Sequence, residues 1–115
     1  MRILDVDALS PRDAARLTPH LLEDEAVLAA FASPTGSVLF TARRILLVQH
    51  EHLLEPKVET SSYPYREVRR FAVQEAAGKS ALRIWLGEEE HPLHLRAAPG
   101  TDLSGLQRLL AERLG

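Results

Sequence analysis

The chain has 115 residues, 45% of them hydrophobic and 26% charged, the balance of one ordinary globular domain with its own core. It contains no cysteine, which excludes a disulfide framework, a thiolate zinc site and a cysteine nucleophile. A net charge of −2 and a pI near 6.2 argue against a nucleic-acid-binding protein, which needs a basic face.

At the N-terminus, Asp5, Asp7 and Asp13 fall where a signal peptide needs an uninterrupted apolar stretch. Runs such as Ala26 to Ala32 and Ile45 to Val48 are too short to span a bilayer. The expected address is the cytoplasm. Ser10-Pro11 opens a first helix: Ser10 supplies a capping oxygen, Pro11 fits the first helical position, and Asp13 complements the positive helix end. Ala14, Ala15 and Leu17 continue it until Pro19 ends it, and a helix this short must dock on something to persist. A turn from His20 to Asp24 follows.

From Glu25 the pattern becomes that of strands. Ala26 to Ala32 is an apolar run closed by the turn signal Ser33-Pro34-Thr35-Gly36. Ser37 to Thr41 and Arg44 to Gln49 form two strands around a tight connection at Ala42-Arg43. After a loop from Glu51 to Pro56, Val58 to Tyr63 makes a polar strand, and Pro64 marks it as an edge. Strand five runs from Arg69 to Glu75, with Phe71 and Val73 on one face, and Ala76-Ala77-Gly78-Lys79 turns the chain. In strand six, Leu82, Ile84 and Leu86 alternate with Arg83 and Trp85. Strand seven sends Leu93 and Leu95 inward, and His94 and Arg96 outward. Seven short strands at this spacing predict a barrel or sandwich. Pro99-Gly100 breaks the sheet, and Thr101 or Asp102 caps a last helix, Asp102 to Leu114. Its leucines at 103, 106, 109, 110 and 114 make one apolar stripe that suits it to cover an open barrel end.

The order and spacing of certain residues resemble the bacterial pleckstrin-homology (PH) domain family. They are Leu22 with Glu25 ahead of the first strand, Val38-Leu39-Phe40-Thr41 running into Arg44-Ile45, and Tyr63-Pro64-Tyr65 leading to Val68 and Phe71. The family's Phe-Thr-x-x-Arg signature corresponds to Phe40 through Arg44. Its segment of proline, aromatic, two variable residues and an aliphatic corresponds to Pro64 through Val68. The resemblance covers about Leu21 to Leu114. It implies a mainly β, PH-like fold, a partly open seven-stranded antiparallel barrel capped by a C-terminal α-helix, here with a short N-terminal helix. It also implies no catalytic residues, no cofactor, and a tendency toward ring-like homo-oligomers. On this reading residues 1–24 are an N-terminal helical segment and residues 25–115 the PH-like domain, folded together as one unit. Lipid-binding eukaryotic relatives carry a basic cluster across the first two strands. Here no basic residue lies between Glu25 and Arg43, so inositol-phosphate binding at that site is not expected.

Two groups of residues stand out as candidate surfaces. Arg43 and Arg44, with Arg66, Arg69 and Arg70, are candidates for an anionic ligand, a weak anionic membrane contact or a partner surface. The alternative for the first pair is a solvated turn with one guanidinium paired to Glu25 or a neighbouring carboxylate. Tyr63 and Trp85 are candidate subunit contacts, since aromatics anchor interfaces; alternatively, Trp85 packs under the first helix. His50 with His52, and His91 with His94 near Glu88 to Glu90, lack the spacing of a zinc motif, and no metal is expected. No serine has the surroundings of a nucleophile, and the glycines are too scattered for a phosphate loop. The sequence therefore reads as a non-catalytic module that associates with itself and with an unknown protein partner, the alternative being peripheral binding to an anionic membrane through the arginines.

Overall fold

A computed structural model describes residues 2–17, 21–51 and 56–114. Pro19, His20, His52 and the centre of the loop before the polar strand lie outside the described residues. The elements are β1 (Arg2–Leu9), α1 (Pro11–Leu17), β2 (Val27–Ser33), β3 (Gly36–Thr41), β4 (Arg44–Glu51), β5 (Lys57–Pro64), a 3-10 turn (Tyr65–Glu67), β6 (Val68–Ala76), β7 (Lys79–Leu86), β8 (Leu93–Ala97) and α2 (Ser104–Leu114). The strands form one curled eight-stranded sheet in the order β5-β4-β3-β2-β1-β8-β7-β6.

The sheet therefore has one strand more than the seven expected, and the addition lies inside the segment read as helical. β1 alternates Leu4 and Val6, both buried, with Asp5 and Asp7, both exposed, which is the pattern of a strand with one face on a core. Its first half runs parallel to β8, with Arg2 opposite Leu93 and Val6 opposite Ala97. Its second half pairs antiparallel with β2, with Asp7 opposite Ala32 and Leu9 opposite Ala30. One strand thus joins two antiparallel ladders, β2 to β5 and β6 to β8, into a single sheet.

The remaining strands and α2 follow the expected positions within a residue or two. Inside the curl, Val38, Phe40, Ile45, Leu47, Leu82, Ile84, Leu86, Leu93 and Leu95 are almost fully buried. Leu103, Leu106 and Leu110 of the α2 segment join the same cluster, so the helix closes the core as its leucine spacing requires. Asp102 caps it, its Oδ1 accepting the Ser104 amide at 2.9 Å. The β6–β7 hairpin turns on two residues, Ala77 (φ 51°) and Gly78 (φ 78°), between the paired Ala76 and Lys79. Both lie in the left-handed region that such tight hairpins demand. Gly36 is needed for a different reason, because a Cβ there would run into the Val48 carbonyl oxygen.

Helix α1 begins as expected, with the Ser10 hydroxyl accepting the Asp13 amide at 3.1 Å. Its landing site differs from the one considered for it. Ala14 packs on Ala30, Leu39 and Leu46, which are all buried, with Leu9, Leu21 and Val27 around them. This is the outer face of β2, β3 and β4. Trp85 is not beneath the helix; it sits on β7, in the other ladder. The bare, largely aliphatic outer face of β2 to β4 supplies the apolar seat that α1 needs. The outer face of β6, β7 and β8 carries Trp85 among charged, polar and small side chains such as Arg70, Ala72, Arg83, His94 and Arg96 instead.

Candidate interaction surfaces

The signature from Phe40 to Arg44 builds a buried polar clasp. Glu25, on the segment that enters β2, has a side chain with no solvent exposure. Its Oε1 accepts the Leu22 amide (3.1 Å) and Arg44 Nη2 (2.8 Å). Its Oε2 accepts the Thr41 hydroxyl (2.6 Å) and Arg44 Nε (2.9 Å). The fork of Arg44 thus grips both carboxylate oxygens, the bidentate geometry that makes such pairs strong. Thr41 Oγ1 also accepts the amides of Arg43 (3.2 Å) and Arg44 (3.1 Å), which fixes the β3–β4 turn. The Tyr65 hydroxyl donates to the Thr41 carbonyl at 2.6 Å and ties in the 3-10 turn.

The protonation states follow from these contacts. The hydrogen bonds from Arg44 hold the Glu25 carboxyl down at about 2, with those of Thr41 and Leu22 adding and burial opposing. Arg44 is pushed up by the same pair. Burial lifts the Tyr65 phenol to about 12, so it remains a donor at any physiological pH.

The five candidate arginines consequently have distinct settings. Arg44 belongs to the clasp and also reaches the Ser62 hydroxyl through Nη1 at 3.1 Å. Arg43 bonds Asp24 at 2.8 Å on the surface. Arg66 is exposed on the 3-10 turn. Arg69 donates to the Glu89 carbonyl at 2.8 Å. Arg70 lies over the Trp85 ring, 4.7 Å from its centroid, and Arg83, which the sequence did not single out, approaches the same ring at 5.6 Å. The alternation of β7 already puts Arg83 and Trp85 on one face; what it does not convey is that Arg70 of β6 lies opposite Trp85 and meets the same ring.

Tyr63 is half-buried on β5 opposite Ile45 and packs against the core. β5 is an end strand of the sheet, paired to β4 alone, and its Val58 is 57% exposed. Along β8 and β1, Arg96 grips Asp5 through both oxygens (2.8 and 2.9 Å) beside an open groove of about 740 Å³. Lys79, Gln74 and His94 also line it, over a floor that includes Ala81. Burial depresses the His94 pKa, as do Arg83 and Arg96, while Asp5 opposes them. Among the described residues no three histidine or carboxylate side chains gather as a metal site. No helix among the described residues is long and apolar enough to cross a membrane.

A curled, mostly antiparallel sheet closed by a C-terminal helix is the architecture of PH-like domains, which are generally non-catalytic. The chain belongs to the bacterial PH domain family, whose model matches residues 5–114. That match takes in most of β1 and all of α1, which the sequence reading had placed outside the resemblance. The chain is 40% identical over 76 residues to the uncharacterized protein YjqA of Bacillus subtilis (strain 168), a match covering 63% of this chain and 60% of that protein. A DUF1696 family protein with a pleckstrin-homology domain from Shewanella loihica PV-4 has the same fold, with a TM-score of 0.78 at 23% identity over 96% of this chain and 98% of that one. A pleckstrin homology domain from Shewanella amazonensis SB2B superposes with a TM-score of 0.67 at 27% identity, over 90% of this chain and 96% of that one.

Proposed function

We propose that this chain is a non-catalytic cytoplasmic interaction module that assembles with copies of itself and leaves part of its surface for a protein partner. The PH-like fold supports an interaction role in general. The observation that carries self-assembly is the free edge of β5, eight residues long, with unpaired backbone groups on one side and Val58 exposed. Such an edge favours addition of another strand unless charge, a bulge or a cover blocks it. Pro64 offers no backbone donor at one end, but alternate residues between Lys57 and Tyr63 turn their backbone groups away from β4. β6 ends the sheet on the other side, so each copy has two different ends, the arrangement from which head-to-tail contacts close into rings.

The membrane alternative draws less support from the geometry. Arg44 is held by a buried carboxylate, Arg43 by Asp24, and Arg70 by an indole ring. A surface that recognises anionic headgroups needs converging cations with charge to spare.

The test places two lysines on the outer face of the edge, Val58→Lys with Thr60→Lys. Lysines along an edge strand disfavour the addition of a further strand, so the assembled mass in sedimentation velocity should fall while the melting temperature stays within a few degrees. An assembled mass equal to that of the unmodified chain would remove β5 as the contact.

A further inference from the structure

α1 covers the outer face of β2 to β4, and the outer face of β6 to β8 is uncovered. Register sets out the side chains of that second face in rows across the strands. Trp85 stands opposite Arg70, Arg83 opposite His94, and Ala81 opposite Arg96, with Lys79 at the start of β7. Alternate residues of a strand lie roughly 7 Å apart on one face. Along β7 each such step therefore presents a cation: Arg70 stacked on Trp85, then Arg83, then Arg96 beside Ala81, then Lys79. β6, β7 and β8 place no carboxylate on this face, and Arg70, Arg83 and Lys79 have no carboxylate partner among the described residues. Asp5 and Asp7 of β1 form its border, and there Asp5 takes the Nε and Nη2 of Arg96.

The strip is also hollow. Ala81 floors the groove of about 740 Å³ whose sides include Gln74, Lys79 and Arg96. A small side chain there lets another chain approach while the long cations reach up beside it. We infer that this face binds an extended acidic segment of a partner protein, laid along β7 with carboxylates at alternate positions meeting Arg83, Arg96 and Lys79 and an apolar side chain on Trp85. An extended chain repeats its side chains at the same interval as the cations beneath it. Tryptophan and arginine are also the residue types that most often anchor interfaces. Glu88 and Glu90, exposed just beyond Trp85, repel acids at that end and leave it to the apolar residue. The inference rests on the reading that part of the surface serves a protein partner, and it names that partner's chemistry.

Trp85 is the chain's single tryptophan, so its fluorescence reports on the face directly. The probe is an acetylated peptide of alternating glutamate and threonine with a leucine at one end. At about 0.05 M salt it should change the Trp85 emission saturably, and about 1 M salt should abolish the change. The same peptide with glutamine for glutamate should produce none. Lys79→Glu with Arg70→Glu, both at exposed positions, should weaken binding on the order of tenfold, whereas Arg108→Glu, exposed on α2, should leave it unchanged. Should the double variant fail to fold in a thermal melt, the two peptides compared on the unmodified chain carry the test. Equal binding to parent and folded double variant overturns this face and leaves the partner reading standing. No saturable change overturns the acidic chemistry assigned to the partner. Phosphatidylglycerol vesicles that shift Trp85 where the peptide does not would make the face a membrane contact and overturn the inference as well. Light scattering on the same samples separates it from self-assembly: a monomeric parent that binds the peptide upholds this face and overturns assembly, and an assembled parent that ignores the peptide does the reverse.

Discussion

Replacing Glu25 with alanine is expected to cost about 3–5 kcal/mol, the usual effect of breaking a buried ion pair from one side. The loss is large because four donors converge on that carboxylate. With alanine there, Arg44, whose side chain is 23% exposed, loses the carboxylate to which its Nε and Nη2 donate. The Thr41 hydroxyl and the Leu22 amide lose their acceptor as well. Against the 5–15 kcal/mol that holds a typical domain, this would leave little. Urea denaturation measures it, and a loss below about 1 kcal/mol, as for an exposed pair, would contradict the clasp. Removing both charges together, Glu25→Leu with Arg44→Met, should recover much of the loss, because a packed apolar pair avoids the desolvation cost of burying charge.

The same group gives the chain an acid limit. Glu25 titrates from 4.5 in the unfolded chain to about 2 when folded, so its contribution is complete above pH 4.5 and is lost as pH falls toward 2. That interval corresponds to about 3 kcal/mol. Glu25→Gln should therefore flatten the fall of stability between those pH values while lowering stability at neutral pH.

Phe40→Ala should have an effect of similar size, about 3–5 kcal/mol, for an apolar reason. Phe40 is fully buried on β3, and its ring meets Phe31 edge to face, 6.2 Å between centroids and 86° between planes. Such pairs add about 0.5–1.5 kcal/mol beyond area burial. Phe40→Leu keeps most of the volume and should cost visibly less. Equal losses for leucine and alanine would mean that ring packing is not what Phe40 contributes.

These two positions show what the sequence could and could not convey. The residues that matched the family, Glu25, Phe40, Thr41 and Arg44, also build the clasp and the centre of the core. The pairing of an arginine with Glu25 was legible as one alternative for Arg43-Arg44. Which of the two reaches it depends on the turn geometry that Thr41 sets, and no periodicity encodes that. β7, β8 and α2 were legible because strict alternation and leucine spacing are strong signals there. β1 was not, although Leu4 and Val6 alternate with Asp5 and Asp7: aspartate is scarce in strands, and β1 gains its stability from β8, about ninety residues away. The seat of α1 and the stacking of Arg70 on Trp85 likewise depend on register between separate strands.

If the chain works as an assembly of copies, its mass in solution shows it most directly. Light scattering after size exclusion, over a wide concentration range, should give a fixed multiple of 12.8 kDa that survives dilution. A mass of 12.8 kDa at every concentration would contradict the claim and make the free β5 edge and the Trp85 face surfaces for other partners.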